Sequence, residues 1–216
     1  MKIRTADTTE SSAASTQNPT WSLSGALLRL SATRFNAYAG LGCDVVVGFV
    51  LIGAGLYINR YGVLAPVATI AFGLFAFSLI EYSFHRWLFH GDASSMRDGH
   101  DKHHEDPHGY DALPFFLPPI GMLLIGALLA LALPTSTALL LAGSIAAGYA
   151  AYGVAHTVIH AFRFRRPTVV KWAANHHIHH HHAGCNFGVT SPLWDIVLRT
   201  RYVPSRTRGP AVASDE

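Results

Sequence analysis

Apolar and polar positions separate into long blocks along this chain and do not alternate within short elements. Four strongly apolar stretches, roughly 41–58, 63–80, 115–133 and 137–155, are each close to the ~20 residues that a helix needs to cross the hydrocarbon core of a bilayer. Only short connections separate the first stretch from the second and the third from the fourth. The pattern predicts an all-α integral membrane protein with four transmembrane helices in two hairpins.

The two ends of the chain are polar and lie outside these blocks. Residues 1–20 are rich in Ser, Thr and Ala and lack the apolar core of a secretory signal peptide, so we expect a disordered N-terminal tail. Residues 205–216 are expected to form a C-terminal tail. A single membrane domain is predicted over residues 21–204.

Composition and charge agree with a membrane protein and exclude several other classes. The chain is 50% hydrophobic and only 13% charged, unlike a typical soluble domain. Its two cysteines, Cys43 and Cys185, are too few for a disulfide framework or a zinc ribbon. The formal net charge of +3 comes without a nucleic-acid recognition motif, so it indicates attraction to anionic lipid and no nucleic-acid partner.

All fourteen histidines fall in two windows, 85–108 and 156–182, and each window follows a pair of apolar stretches. Because a helical hairpin returns the chain to the face from which it started, we expect both windows on the same side of the membrane. Basic residues such as Arg97, Arg165 and Lys171 lie on that side, whereas the opposite connections carry only Arg60. A cytoplasmic, histidine-rich helical cap is therefore predicted.

Spacing within the windows favours a metal site with ligands from four histidine groups. On a helix, residues three or four apart lie close together, so the HxxHH and HxxxH groups present several imidazoles to one point. His85 and His90 are five apart and converge only if their helix ends or loosens near Phe89. The ten predicted ligands are His85, His90, His100, His103, His104, His156, His160, His176, His179 and His180.

The chemistry of these side chains limits the metal and the alternatives. Imidazole suits iron or zinc, whereas a site almost without carboxylate does not suit magnesium or calcium. Glu81 and Asp101 are candidate partners for the outer ring nitrogens of the ligands. A histidine-rich metal transporter is the alternative of a different class, but residues 120–155 are almost purely apolar and show no ion path. The last group also reads HxxHH as His177, His180 and His181.

Four sequence phrases carry a family resemblance over roughly residues 75–200: EYSFHRWLFH, HDKHHEDP, AYGVAHTVIH and HHIHHHHAGCNFGVTSPLWD. Their order resembles the fatty acid hydroxylase and sterol desaturase superfamily, with the closest likeness to its fatty acid 2-hydroxylase branch. The closing signature contains Asn186, Phe187, Gly188, Trp194 and Asp195. Measured back from this signature, the resemblance favours His176, His179 and His180 as the ligands of the last group.

The resemblance implies an O₂-dependent oxidoreductase that hydroxylates a lipid acyl chain, with the 2-position as the expected carbon. It implies two iron ions, with zinc as an alternative in purified protein, and no catalytic residue beyond the metal ligands. Electrons are expected from a separate ferredoxin or cytochrome-type donor, since the residues ahead of the first span are too few for a fused donor domain. Carotenoid or sterol hydroxylases and desaturases of the same superfamily stay as alternatives. A bacterial inner membrane is favoured over the endoplasmic reticulum.

Overall fold

The computed structural model describes residues 23–92, 94–110 and 112–204, and within these ranges every regular element is a helix and none is a strand. The tails predicted at 1–20 and 205–216 lie outside the described residues. The helices are α1 (Leu23–Ser31), α2 (Arg34–Tyr57), α3 (Leu64–Ser83), α4 (Ser95–Glu105), α5 (Leu117–Leu129), α6 (Thr135–Ala161), α7 (Pro167–His181) and α8 (Leu193–Val197), and a π-helical segment, Phe84–Phe89, continues α3.

Three of these elements are long and apolar enough to cross a membrane: α2, α6 and the continuous helix Leu64–Phe89. At about 1.5 Å per residue even the shortest of them exceeds the ~30 Å hydrocarbon core of a bilayer. Large apolar side chains cover their outer surfaces, for example Phe49 with 70% and Phe72 with 61% of its surface exposed. Such side chains suit contact with lipid tails, so the length and the surface of these helices indicate an integral membrane protein.

The prediction of four full spans is not confirmed, because the third apolar stretch forms only the 13-residue helix α5. At about 1.5 Å per residue such a helix is roughly 20 Å long, shorter than the hydrocarbon core. Prolines explain its start, since Pro119 lies in its first turn and Pro114 accepts the hydrogen bond of a preceding turn. Turns also follow Leu129, so the apolar pattern over 115–133 overstated the length of the helix.

Helix α6 lies at the centre of the bundle and packs against α2, α3 and α5. Small residues allow this close packing, as is common between membrane helices. A Cβ atom added at Gly48 would lie 3.0 Å from the backbone nitrogen of Ala147, and one added at Gly73 would lie 2.6 Å from Cβ of Ser144. The bundle therefore depends on the absence of side chains at these contacts.

Buried polar contacts connect the bundle to the remaining elements. Asn36, at the start of α2, is fully buried, donates to the carbonyl of Leu113 at 2.9 Å and accepts from the backbone N–H of Phe115 at 2.8 Å. On the histidine side, Ile159 of α6, Ala173 of α7 and Val189 form a small apolar core. This core packs α7 against the end of α6 and so brings the second histidine window to the ends of the long helices.

Candidate metal centre

The structure brings all ten predicted ligands together in two clusters of five. Within each cluster the candidate ligand atoms lie within 4.8 Å of one another, and no other histidine, cysteine or carboxylate of the described residues joins either cluster. We call the first cluster group A and the second group B. Group A is His85, His90, His100, His104 and His179, and group B is His103, His156, His160, His176 and His180.

The two HxxHH motifs divide their histidines between the groups in the same way. On α4, His100 and His104 are one turn apart and join group A, whereas His103 joins group B. On α7, the residues one turn apart join group B and His179 joins group A. Each motif thus serves both clusters, because residues at i and i+4 share a helix face and the residue at i+3 lies beside that face.

The π-helical segment Phe84–Phe89 explains how His85 and His90 converge. A π-helix has i→i+5 hydrogen bonds, so residues five apart come onto one face, and such segments are frequent at functional sites. The two rings lie 5.3 Å apart and stack at 28°. The segment ends at Phe89, and two residues later an added Cβ at Gly91 would collide with the carbonyl oxygen of Trp87. The expected loosening of the helix near Phe89 is confirmed.

Inside the groups, ring nitrogens approach each other at distances that suit a shared ion. In group A, Nε2 of His100 lies 3.1 Å from Nε2 of His85 and 3.0 Å from that of His90. In group B, Nε2 of His176 lies 3.1 Å from both His160 and His180. Two ligand nitrogens at about 2.1 Å from one ion, at right angles, lie ~3.0 Å apart. The residues present therefore fit a metal ion in each group.

Two outer ring nitrogens donate to backbone carbonyls. Nδ1 of His85 lies 2.6 Å from the carbonyl oxygen of Phe187, and Nδ1 of His179 lies 2.8 Å from that of Cys185. A carbonyl oxygen can only accept, and a neutral imidazole carries one N–H, so each Nε2 keeps its lone pair. Both lone pairs are then available to an ion in group A, in the arrangement usual for metal-bound histidines.

The loop that supplies these carbonyls is held by buried polar side chains. Asp195 is fully buried and accepts from the backbone N–H groups of Phe187 and Gly188 at 2.8 Å each and from the hydroxyl of Thr200 at 2.7 Å. Asn186 has a φ of 56° and accepts from the N–H of Tyr202 at 2.8 Å. The closing signature recognised in the sequence thus positions the histidines through backbone atoms, which have no sequence signal of their own.

Glu81 and Asp101 have other roles than the histidine partners expected from sequence. Glu81 accepts from the backbone N–H groups of Val189 and Thr190 at 2.7 and 2.9 Å, and so fixes the same loop from α3. Asp101 pairs with Arg97 at 3.4 Å on the surface of α4. Within the described residues neither carboxylate bonds to a histidine ring. The expectation was wrong because the carbonyl of Phe187 is the partner of His85, and because the carboxylate of Asp101 faces Arg97 on the surface of α4.

Burial keeps the histidines of the cap in the neutral form that binds metal. Burial and the neighbouring histidines lower the pKa of His100 to about 2 and that of His103 to about 3. The pKa values of His179 and His180 fall to about 3 and about 2, with burial again the largest cause. All four side chains are therefore neutral near pH 7, so no proton has to leave before they bind a metal ion.

The remaining histidines and Cys185 stay outside both groups. His177 and His181 are exposed, so the structure brings together His176, His179 and His180 and not the alternative register of the last motif. The ring of His182 stacks on Tyr202 at 4.6 Å. The thiol of Cys185 donates to the carbonyl of His182, and only its own carbonyl contacts the site.

Comparison with known proteins agrees with this site. The model of the fatty acid hydroxylase family matches residues 70–200. A dihydroceramide fatty acyl 2-hydroxylase of Arabidopsis thaliana, FAH2, is 33% identical over 144 residues, which are 61% of this chain and 59% of that protein. The fatty acid 2-hydroxylase of Macaca fascicularis is 30% identical over 142 residues, which are 59% of this chain and 38% of that protein.

A solved structure of full-length scs7p, in which only the hydroxylase domain is visible, has a similar fold. The TM-score is 0.69 at 25% sequence identity, and the match covers 82% of this chain and 70% of that one. This chain therefore spans only part of the length of the curated relatives that it matches. The family match covers more than half of the chain and includes all ten clustered histidines, so the chain belongs to the fatty acid hydroxylase family.

Proposed function

We propose that this protein is a membrane-bound two-metal oxygenase that hydroxylates a lipid acyl chain at the 2-position. The observation that carries the proposal is the convergence of ten histidines in two groups of five at the ends of apolar helices. Ionisable side chains at membrane depth cost free energy, so they are rare there and usually mark a functional site. The named activities of the plant and primate relatives supply the reaction and the carbon position.

The ten histidines of groups A and B are the proposed metal ligands, and iron is the proposed metal of the active enzyme. Bound there, an iron pair supplies the oxidising power that cleavage of an unactivated C–H bond requires. The overall reaction consumes O₂, two electrons and two protons for each C–H bond converted to C–OH, and releases one water. Zinc fits the same imidazole ligands and is the expected substitute in purified protein. No other catalytic side chain is needed.

The protein's own contribution is to orient the ligands and to keep the reacting lipid away from bulk water. His85, His176 and His179 are almost fully buried, and Phe187 packs with an exposed fraction of only 5% beside the rings of group A. The helices that lead to the site have apolar outer surfaces. An acyl chain can thus reach the histidine groups from the bilayer with little exposure of its tail.

The membrane orientation and the electron donor are part of the proposal. Arg163, Arg165, Arg166 and Lys171 are exposed around the connection between α6 and α7. Basic residues concentrate on the cytoplasmic side of membrane proteins, so we propose that the histidine cap is cytoplasmic. Because histidines from α4 and from the end of α6 meet in the same groups, the chain between them has to return to one face, and we propose that the short helix α5 with its flanking turns completes a fourth crossing. An acidic ferredoxin or cytochrome-type donor would dock on this surface. A bacterial inner membrane is the proposed location.

A lipid-product experiment tests the function. The full chain is expressed with and without oxygen, membrane lipids are compared by mass spectrometry, and metal per chain is measured on the purified protein. We expect an oxygen-dependent product one oxygen atom heavier than its parent lipid, with the hydroxyl on the carbon next to the acyl carbonyl. His179→Ala should abolish the product, whereas the exposed His181→Ala should keep it. Bound metal without any oxidised lipid would contradict the proposal.

A further inference from the structure

The outer ring nitrogens of the two histidine groups have different surroundings. Among the residues that the structure describes, outer nitrogens donate to backbone carbonyls in group A, at His85 and His179. Two outer ring nitrogens that are buried without a hydrogen-bond partner among the described residues belong to group B. They are Nδ1 of His176 and Nδ1 of His180. Nε2 of His156 is also buried without a partner, but the other group B histidines face one another through Nε2, so this atom belongs to the ligand side of the ring. The two groups have the same number of histidines, but more ligand rings are held by hydrogen bonds in group A than in group B.

The loop that orients group A is fixed independently of any metal. Asp195 accepts the N–H groups of Phe187 and Gly188, and Glu81 accepts those of Val189 and Thr190. The carbonyls of Cys185 and Phe187 are thus held beside the group A rings by hydrogen bonds to two buried carboxylates. In group B the rings are oriented by packing, as where Tyr152 stacks on His156 at 5.6 Å and 13°.

We propose that group A binds its metal ion more tightly than group B, and that Asp195 is a positioning residue for the group A ion. This inference rests on the proposed function, in which both groups hold metal. Partners of the outer nitrogen fix the ring orientation and raise the basicity of the ligand, and loss of one such partner typically lowers metal affinity about 10–100-fold. Group A has two such partners, so its ion is retained at chelator concentrations that empty group B.

A chelator titration of the full chain tests the order of release. The protein, purified in detergent and loaded with two Zn²⁺ per chain, is equilibrated with increasing chelator, and the remaining zinc is measured by mass spectrometry. We expect two steps of one ion each, separated by about 10-fold or more in chelator concentration. Release of both ions in a single step would overturn the inference.

Single-ligand variants assign the steps to the groups. His90 belongs to group A and His160 to group B, and both side chains are only half-buried, so truncation is tolerated by the fold. His160→Ala should keep the wild-type tight step and lose the weak one. His90→Ala should keep only the weak step. The reverse assignment would overturn the inference.

Asp195→Asn tests the positioning role, because the amide replaces one carboxylate oxygen that accepts from the loop. We expect the tight step to weaken about 10-fold or more with the weak step unchanged. Equal weakening of both steps would show that Asp195 supports only the fold, and circular dichroism establishes that each variant is folded. A wild-type protein that binds no Zn²⁺ would contradict the proposed metal centre itself, whereas two equal sites would contradict only this inference.

Discussion

The membrane bundle and the histidine cap of this protein are stabilised by different interactions. In the bundle, α2 and α3 pack closely against α6 at positions such as Gly48 and Gly73, where there is no room for a side chain. In the cap, the buried carboxylates Glu81 and Asp195 fix a loop whose carbonyls orient two histidines. Changes in the bundle should therefore alter stability without altering the metal site, whereas changes in the cap should also alter the metal site, through individual polar atoms.

The largest effect is expected from His103→Ala in the cap. His103 lies in group B, with Nε2 3.2 Å from that of His180, so its removal deprives the proposed site of a ligand. Turnover should fall to background and metal content should drop, while the bundle still inserts and keeps its helicity by circular dichroism. The matched control is the exposed His181→Ala, which should keep its activity. Full activity of His103→Ala would contradict the two-metal site.

Asp195→Ala should destabilise the cap more than any surface change. It leaves three donors without their acceptor, two backbone N–H groups and the hydroxyl of Thr200. At about 1–3 kcal/mol for each buried unsatisfied donor, with incomplete additivity, we expect a loss of ~3–5 kcal/mol. Hydrogen exchange should show local opening of residues 185–204 with the bundle still protected. Asp92→Ala, which removes an exposed carboxylate, is the control. If residues 185–204 opened to the same extent in Asp92→Ala, the role assigned to Asp195 would be contradicted.

Gly73→Ala tests the bundle side of the comparison. The added methyl would lie 2.6 Å from Cβ of Ser144 on α6, so α3 and α6 must separate slightly. Overpacking of this kind costs about 1–3 kcal/mol. At Gly53, also within a spanning helix, no atom lies within 4 Å of an added Cβ, so Gly53→Ala should be neutral or slightly stabilising. The free energy of unfolding in mixed detergent is measured for both variants. Equal values would show that close packing at Gly73 does not contribute to stability.

The sequence predicted the parts of the molecule that repeat with a simple period or a fixed spacing. Apolar blocks predicted the long helices, and histidine spacing, with the family resemblance for the register of the last group, predicted all ten members of the two groups, including the loosened helix near Phe89. The short helix α5 was not predicted, because hydropathy does not show where prolines and turns interrupt an apolar stretch. The partners of His85 and His179 were not predicted either, because they are main-chain carbonyls whose position depends on tertiary contacts.

The smallest effect is expected from Asp101→Asn, although Asp101 follows a proposed ligand directly in the chain. Its carboxylate pairs with Arg97 at 3.4 Å, and the two side chains are 52% and 43% exposed. Exposed pairs of this kind contribute about 0–0.5 kcal/mol, so stability and Zn²⁺ affinity should stay close to wild type.

Arg97→Gln is compared with Asp101→Asn, because Arg97 also donates to the carbonyl of Gly91 at 2.7 Å, just after the π-helical segment. Loss of that hydrogen bond should weaken Zn²⁺ binding more than loss of the ion pair does, since it loosens the backbone next to His90. If Asp101→Asn had the larger effect on Zn²⁺ affinity, charge near the ligands would matter more than the position of the backbone. Hydrogen bonds to the backbone would then not be what orients the ligands in the cap.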